Sequence, residues 1–189
     1  MSYILMVLFA GLIVAADQFT KYLTVHNLSP YACRGMENFS VYFDKLCSSY
    51  HIEPSMYDTM TTKTPVVNNV LSFTHIFNDG GAWGMFNGAI WLFVVIFALF
   101  AAFMVWEFSK KKMAFTTFER FCMVAIFAGG LGNIIDRIRL GFVIDMIQTD
   151  FMNFPIFNVA DIFITCGCIL LIAHLVLFNK EFWKDDKKK

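Results

Sequence analysis

The stretch GGLGNIIDRI, residues 129–138, decides how this chain folds. It closes an apolar run, residues 121–135, that carries no charge over 15 positions but is short of the roughly 20 helical residues a hydrocarbon core requires. The run spans only if its helix continues through Asn133, Asp136 and Arg137. Three polar groups then stand at or just inside one membrane interface, where each is costly unless it is paired or functional.

The rest of the chain has the same character. Of 189 residues, 58% are hydrophobic, 17% aromatic and 16% charged, which is more apolar than a water-soluble core of this size needs. Formal charge is zero, and no basic block lies outside the lysine clusters that flank apolar segments, so no nucleic-acid partner is indicated. Residues 1–16, 89–106 and 162–179 form three further uncharged runs. The first, like 121–135, is too short alone and must continue through DQFTKYL to span. It has no basic n-region and no A-x-A-like cleavage site, and is read as retained rather than as a signal peptide.

Four transmembrane helices are therefore expected, at about 3–26, 89–108, 121–138 and 159–179, in a single membrane-embedded domain covering 1–189. Lys110, Lys111, Lys112 and Arg120 fall in the 109–120 loop and five lysines in the 180–189 tail, which places both on the cytoplasmic side. Both termini are then cytoplasmic, and segments 27–88 and 139–158 lie outside.

On that topology Asp17 and Lys21, Asn78, the Asn133–Asp136–Arg137 group, and Asn158 with Asp161 all reach the outer face. Structural duties explain part of this. Asp17 and Lys21 at i and i+4 form an intrahelical ion pair. Ala125 with Gly129, and Ala128 with Gly132, repeat small residues that let a helix approach closely. In NVAD, Asn158 reads as an N-cap and Asp161 as an acidic residue favouring the helix dipole. Capping leaves Asp145 unexplained: it stands alone in GFVIDMI, in a loop at the same surface as Asp161. Two acids brought together at the edge of a low-dielectric region share a proton, and such a pair can activate water against an amide without a metal or nucleophilic side chain.

In order along the chain, DQFTK, FNDGGAWG, GGLGNIIDRI, GFVIDMI and FNVADIFI resemble the boxes of the bacterial lipoprotein signal peptidases, or signal peptidase II. The resemblance implies an all-α integral membrane protein with four transmembrane helices and a small β-containing extracytoplasmic subdomain between helices 1 and 2. It further implies an aspartic endopeptidase of the bacterial inner membrane, monomeric and without metal or other cofactor, that cuts a prolipoprotein N-terminal to its diacylglyceryl-modified cysteine. Matched box by box, the catalytic pair falls on Asp145 and Asp161. Asn78, Gly80, Ala82, Asn133, Asp136, Arg137 and Asn158 bind substrate or support the site, and Asp17 and Lys21 are structural.

One segment departs from the pattern: an insertion at about 29–65 lengthens the outer region. Its Cys33 and Cys47 can be bridged in an oxidising exterior, worth about 3 kcal/mol in the chain-entropy model, or remain separate thiols. A second functional class, a small proton-coupled carrier, also uses intramembrane carboxylates. It needs polar positions at midplane and towards the cytoplasm, where helices 2–4 offer little beyond His174.

Overall fold

The structure, a computed structural model, describes residues 2–28, 63–81, 85–86, 88–110 and 115–178. Four helices account for most of it: α1 Ser2–Leu28, α2 Ile90–Ser109, α3 Thr117–Leu140 and α4 Val159–Leu177. All four are long and apolar enough to cross a membrane. The strands β1 Thr64–Val67, β2 Leu71–Asn78 and β3 Val143–Thr149 form one antiparallel sheet in the order β1-β2-β3. The protein is thus an all-α membrane bundle carrying a small sheet.

Two boundaries differ from the sequence expectation. Helix α3 starts at Thr117 rather than near 121, because Thr116 and Glu119 form a capping box that satisfies its first free N–H groups: Glu119 N–H donates to Thr116 Oγ1 at 3.3 Å and Thr116 N–H to Glu119 Oε2 at 2.6 Å. Segment 139–158 is not simply a loop, and the sheet is not confined to the region between helices 1 and 2. Gly141, at φ 85°, ends α3 in the left-handed conformation open to glycine, and the chain then enters β3, which pairs along β2 from Asn78↔Val143 to Leu71↔Thr149.

The bundle turns apolar side chains outward, packs an apolar core along its middle and buries its charged side chains towards the helix ends, where they find partners. On α1 the buried positions Met6, Ile13, Asp17, Lys21 and Val25 make one stripe, while Ile4, Val7, Leu8 and Leu12 face outward. On α2 the inward stripe is Phe93, Phe97, Phe100 and Met104, and Trp91, Val95, Ile96, Leu99 and Val105 are exposed. Helix α3 is the central element, with Met123, Val124, Ala125, Ala128, Asn133, Asp136 and Arg137 all buried.

Close approach to α3 depends on its glycines. A Cβ on Gly129 would lie 2.5 Å from the Ala160 carbonyl oxygen of α4, and one on Gly132 would lie 2.5 Å from Asp17 Oδ2 of α1. A methyl group at 132 has nowhere to go without moving a buried carboxylate. Gly132→Ala is therefore expected to destabilise the chain by about 1–3 kcal/mol, seen as a lower midpoint in thermal unfolding of the detergent-solubilised protein.

Candidate active site

Three asparagines organise the site, and the orientation of each amide is fixed by a group that can only donate. Asn158 caps α4: its Oδ1 accepts from Asp161 N–H at 3.0 Å. Its Nδ2 is thereby turned towards Asp145 Oδ1, at 2.7 Å, and towards Asn133 Oδ1, at 3.0 Å. Asn133 Oδ1 also accepts from the Lys21 ammonium at 3.0 Å, which leaves Asn133 Nδ2 to donate to Asp161 Oδ1 at 2.8 Å. Asn78 Oδ1 accepts from Gly80 N–H at 3.0 Å, so its Nδ2 donates to Asp145 Oδ2 at 3.0 Å.

The sheet register places Asn78. Ile76 pairs with Asp145 and Asn78 lies two residues on, so Asn78 and Asp145 are diagonal neighbours on one face of the antiparallel pair. Asn158 is brought to the same point by backbone: Met146 and Ile147 N–H both donate to Phe157 O, at 3.1 and 2.8 Å, which lashes the entry of α4 to β3. The neighbours of Asp145 along the strand, Ile144 and Met146, pack with Val25 and Phe142 in a separate apolar cluster. Asp145 itself points into the polar site.

Asp145 is 2% exposed, whereas Asp161 is half-buried at the first turn of α4. Burial, and then the nearby Asp161 carboxylate, push the Asp145 carboxyl up to about 7, against the opposing effect of the Asn78 and Asn158 donors. Near neutral pH the pair thus holds one acid poised between its protonated and ionised forms beside one more open to solvent.

Behind this pair lies a buried ion cluster. Lys21 Nζ is 2.8 Å from Asp17 Oδ2 and 2.8 Å from Asp136 Oδ2, with all three side chains fully buried. The remaining carboxylate oxygens are also served. Ala160 N–H donates to Asp17 Oδ1 at 3.0 Å, Ile144 N–H reaches Asp136 Oδ2 at 3.3 Å, and Gln18 Nε2 donates to Asp136 Oδ1 at 2.9 Å and Asp17 Oδ2 at 3.2 Å. The positive end of α4 therefore faces Asp17 through one free N–H and Asn158 through another. Arg137 stands to one side, its Nη2 donating to Gly80 O at 2.5 Å.

The family model for signal peptidase (SPase) II matches residues 9–177. The chain belongs to the signal peptidase II family. It is 34% identical over 176 residues to the lipoprotein signal peptidase of Enterococcus faecalis (strain ATCC 700802 / V583), covering 92% of this chain and 88% of that one. It is 49% identical over 113 residues to that of Lactococcus lactis subsp. lactis (strain IL1403), covering 60% of this chain and 73% of the relative. A bacterial membrane enzyme solved by the in meso method at 2.3 Å aligns with a TM-score of 0.68 and 28% identity, covering 97% of this chain and 92% of that one.

Among the residues expected at a signal peptidase II site, the fold brings Asn78, Gly80, Asn133, Arg137, Asp145, Asn158 and Asp161 into one hydrogen-bonded neighbourhood, with Asp17, Lys21 and Asp136 directly behind it. Ala82, Cys33 and Cys47 lie outside the described residues. No group of three or more His, Cys, Asp or Glu able to hold a metal occurs among the described residues. Two contributors escape sequence reasoning. Gln18 sits inside the DQFTK box but only the packing of α1 on α3 puts its amide between two carboxylates. Phe93 lies outside every box, yet its ring covers the Arg137 guanidinium at 4.1 Å.

The other titrating groups of the sheet stand apart from this pair. His75 is buried against Phe77, with ring centroids 4.4 Å apart, and burial lowers it to about 4. Asp150 is held below the usual carboxylate range by Lys63, 2.7 Å away, and by the Ser72 hydroxyl. These contacts pin the start of β1 and the middle of the sheet to the end of β3.

Proposed function

We propose that this chain is an aspartic endopeptidase that removes signal peptides from prolipoproteins, cutting N-terminal to a diacylglyceryl-modified cysteine. The observation that carries the reading is the amide bridge: Asn158 donates to Asp145 and, through its backbone N–H, to Asp161 Oδ2 at 3.1 Å, so one residue spaces and orients both acids. Asp145, in the protonated form that its raised value keeps populated near neutral pH, donates to the scissile carbonyl oxygen. Asp161 takes the proton from the attacking water, whose oxygen bonds to the carbonyl carbon. Asp161 then passes that proton to the leaving nitrogen as the C–N bond breaks, and the carbonyl re-forms as its hydroxyl proton returns to Asp145. The lipid chains of the substrate lie along the apolar flanks of the bundle while the peptide bond meets the dyad at the polar boundary, on the outer face of the bacterial cytoplasmic membrane with both termini inside.

A proton-coupled carrier fits less well. At the opposite end of the bundle Glu107 meets Lys110 at 2.6 Å and Glu119 meets His174 at 2.9 Å. Between the two ends, residues 90–106 of α2, 121–135 of α3 and 162–173 of α4 contain no charged residue to relay a proton.

The purified chain in detergent or lipid, given a diacylglyceryl-modified prolipoprotein, is expected to release the signal peptide with the lipidated cysteine at the new N-terminus, as read by mass spectrometry. No cleavage, or a cut elsewhere, overturns the proposal. The dyad also sets a pH dependence. Loss of the Asp145 proton removes the general acid, so kcat/KM is expected to fall as pH rises through about 7. Because the Asn78 donor favours the ionised form, Asn78→Ala is expected to move this limb to higher pH; an unchanged or lowered limb counts against the Asp145 assignment.

A further inference from the structure

The turn after β2 is held against the dyad from three directions. Asn78 accepts from Gly80 N–H and places Nδ2 between Asp145 Oδ2, at 3.0 Å, and Gly81 O, at 3.4 Å. Arg137 donates to Gly80 O. The third contact is aromatic: the Phe93 ring lies 4.1 Å from Arg137 Cζ, and a Cβ on Gly81 would come within 3.3 Å of its Cζ. Phe93 ends the stripe by which α2 packs on α3, one turn beyond Phe97, which stacks on Phe127 at 5.1 Å. A guanidinium donates only within its own plane, so the ring that fixes that plane also fixes where Nη2 points. Phe93 has no polar atom and orients the group without competing for its donors.

We propose that Phe93 is a positioning residue for cleavage: its ring sets the Arg137 plane and buttresses Gly81, holding the turn beside Asp145 in the conformation that lines up the substrate backbone. This rests on the peptidase reading above. The contact does not touch the reacting atoms, so its effect falls mainly on KM.

The test compares Phe93→Leu and Phe93→Tyr with the unaltered full-length chain in detergent, using a diacylglyceryl-modified prolipoprotein and, separately, amide hydrogen exchange of the peptide containing Gly80 and Gly81. Phe93→Leu is expected to raise KM about tenfold, with a smaller change in kcat, and to speed that exchange. Phe93→Tyr keeps the π face and is expected to restore both. The proposal is overturned if Phe93→Leu leaves KM and exchange unchanged, even with reduced thermal stability, or if Phe93→Tyr is as impaired as Phe93→Leu. Should the unaltered chain not cleave, the peptidase reading fails and exchange alone decides: faster in Phe93→Leu supports the clamp, unchanged overturns it.

Discussion

Asp145→Asn and Asp161→Asn are each expected to lower cleavage by at least about 10³-fold while leaving the chain folded, because in the proposed mechanism each removes one half of a proton exchange that neither partner can complete alone. An amide has nearly the shape of a carboxylate but only one acceptor oxygen, so one of the two donors meeting each acid, Asn78 or Asn158 at 145 and Asn133 or Asn158 N–H at 161, loses its partner, and a modest loss of stability is expected without unfolding. At position 145 the substitution removes a carboxyl poised near 7; at 161 it removes the more exposed carboxylate, the proposed base. Rates with a diacylglyceryl-modified prolipoprotein, alongside thermal unfolding of each variant, separate chemistry from folding. Retained cleavage by either variant, properly folded, would sink the dyad. Asp136→Asn is the contrasting case: Asp136 contacts Lys21, Gln18 and Ile144 N–H, so its loss is expected to reduce stability first and activity through it. A stable, inactive Asp136→Asn beside an active Asp145→Asn would exchange the two roles.

Lys21→Met is expected to be the most damaging single change to the scaffold. It leaves Asp17 and Asp136, both fully buried, without the cation they share, and breaking a buried ion pair in this way costs about 3–5 kcal/mol. The backbone donors Ala160 N–H and Ile144 N–H and the Gln18 amide soften the loss without replacing the charge. Lys21 also orients Asn133, so any folded fraction is expected to cut slowly, with Asp161 missing its Asn133 donor when that amide turns over. Thermal unfolding of the detergent-solubilised variant, together with a Lys21→Met, Asp17→Asn, Asp136→Asn triple variant, distinguishes the causes. The triple variant is expected to recover part of the stability, because it no longer buries unpaired carboxylates. A Lys21→Met chain as stable as the original would show that the cluster contributes nothing.

Much of this protein is legible in one dimension because lipid imposes a simple rule. A chain that must bury its backbone polar groups within each span shows its helices as uncharged runs, and a charged residue inside such a run declares either a partner or a task. Asp17, Lys21, Asn133, Asp136 and Arg137 declared themselves in this way, and Asn158 and Asp161 by their capping positions. The division of labour among the aspartates is different. Spacing makes Asp136 the most conspicuous acid; packing puts it at 2.8 Å from Lys21, behind the site, and puts Asp145 within reach of Asn78 and Asn158. That placement depends on the β2–β3 register and on the Phe157 link, which join residues about 70 and 10 positions apart.

The sequence by itself determined the membrane bundle, the number of spans and the polar residues that gather at one end, because hydrophobic length and the cost of a charge in lipid act on each segment separately. Only the tertiary structure decided which way each asparagine amide faces, that Asp136 joins Asp17 at Lys21, and that Phe93 lies over Arg137. Hydrogen bonds and ring contacts are fixed within tenths of an ångström between elements far apart in the chain, and no local pattern records them.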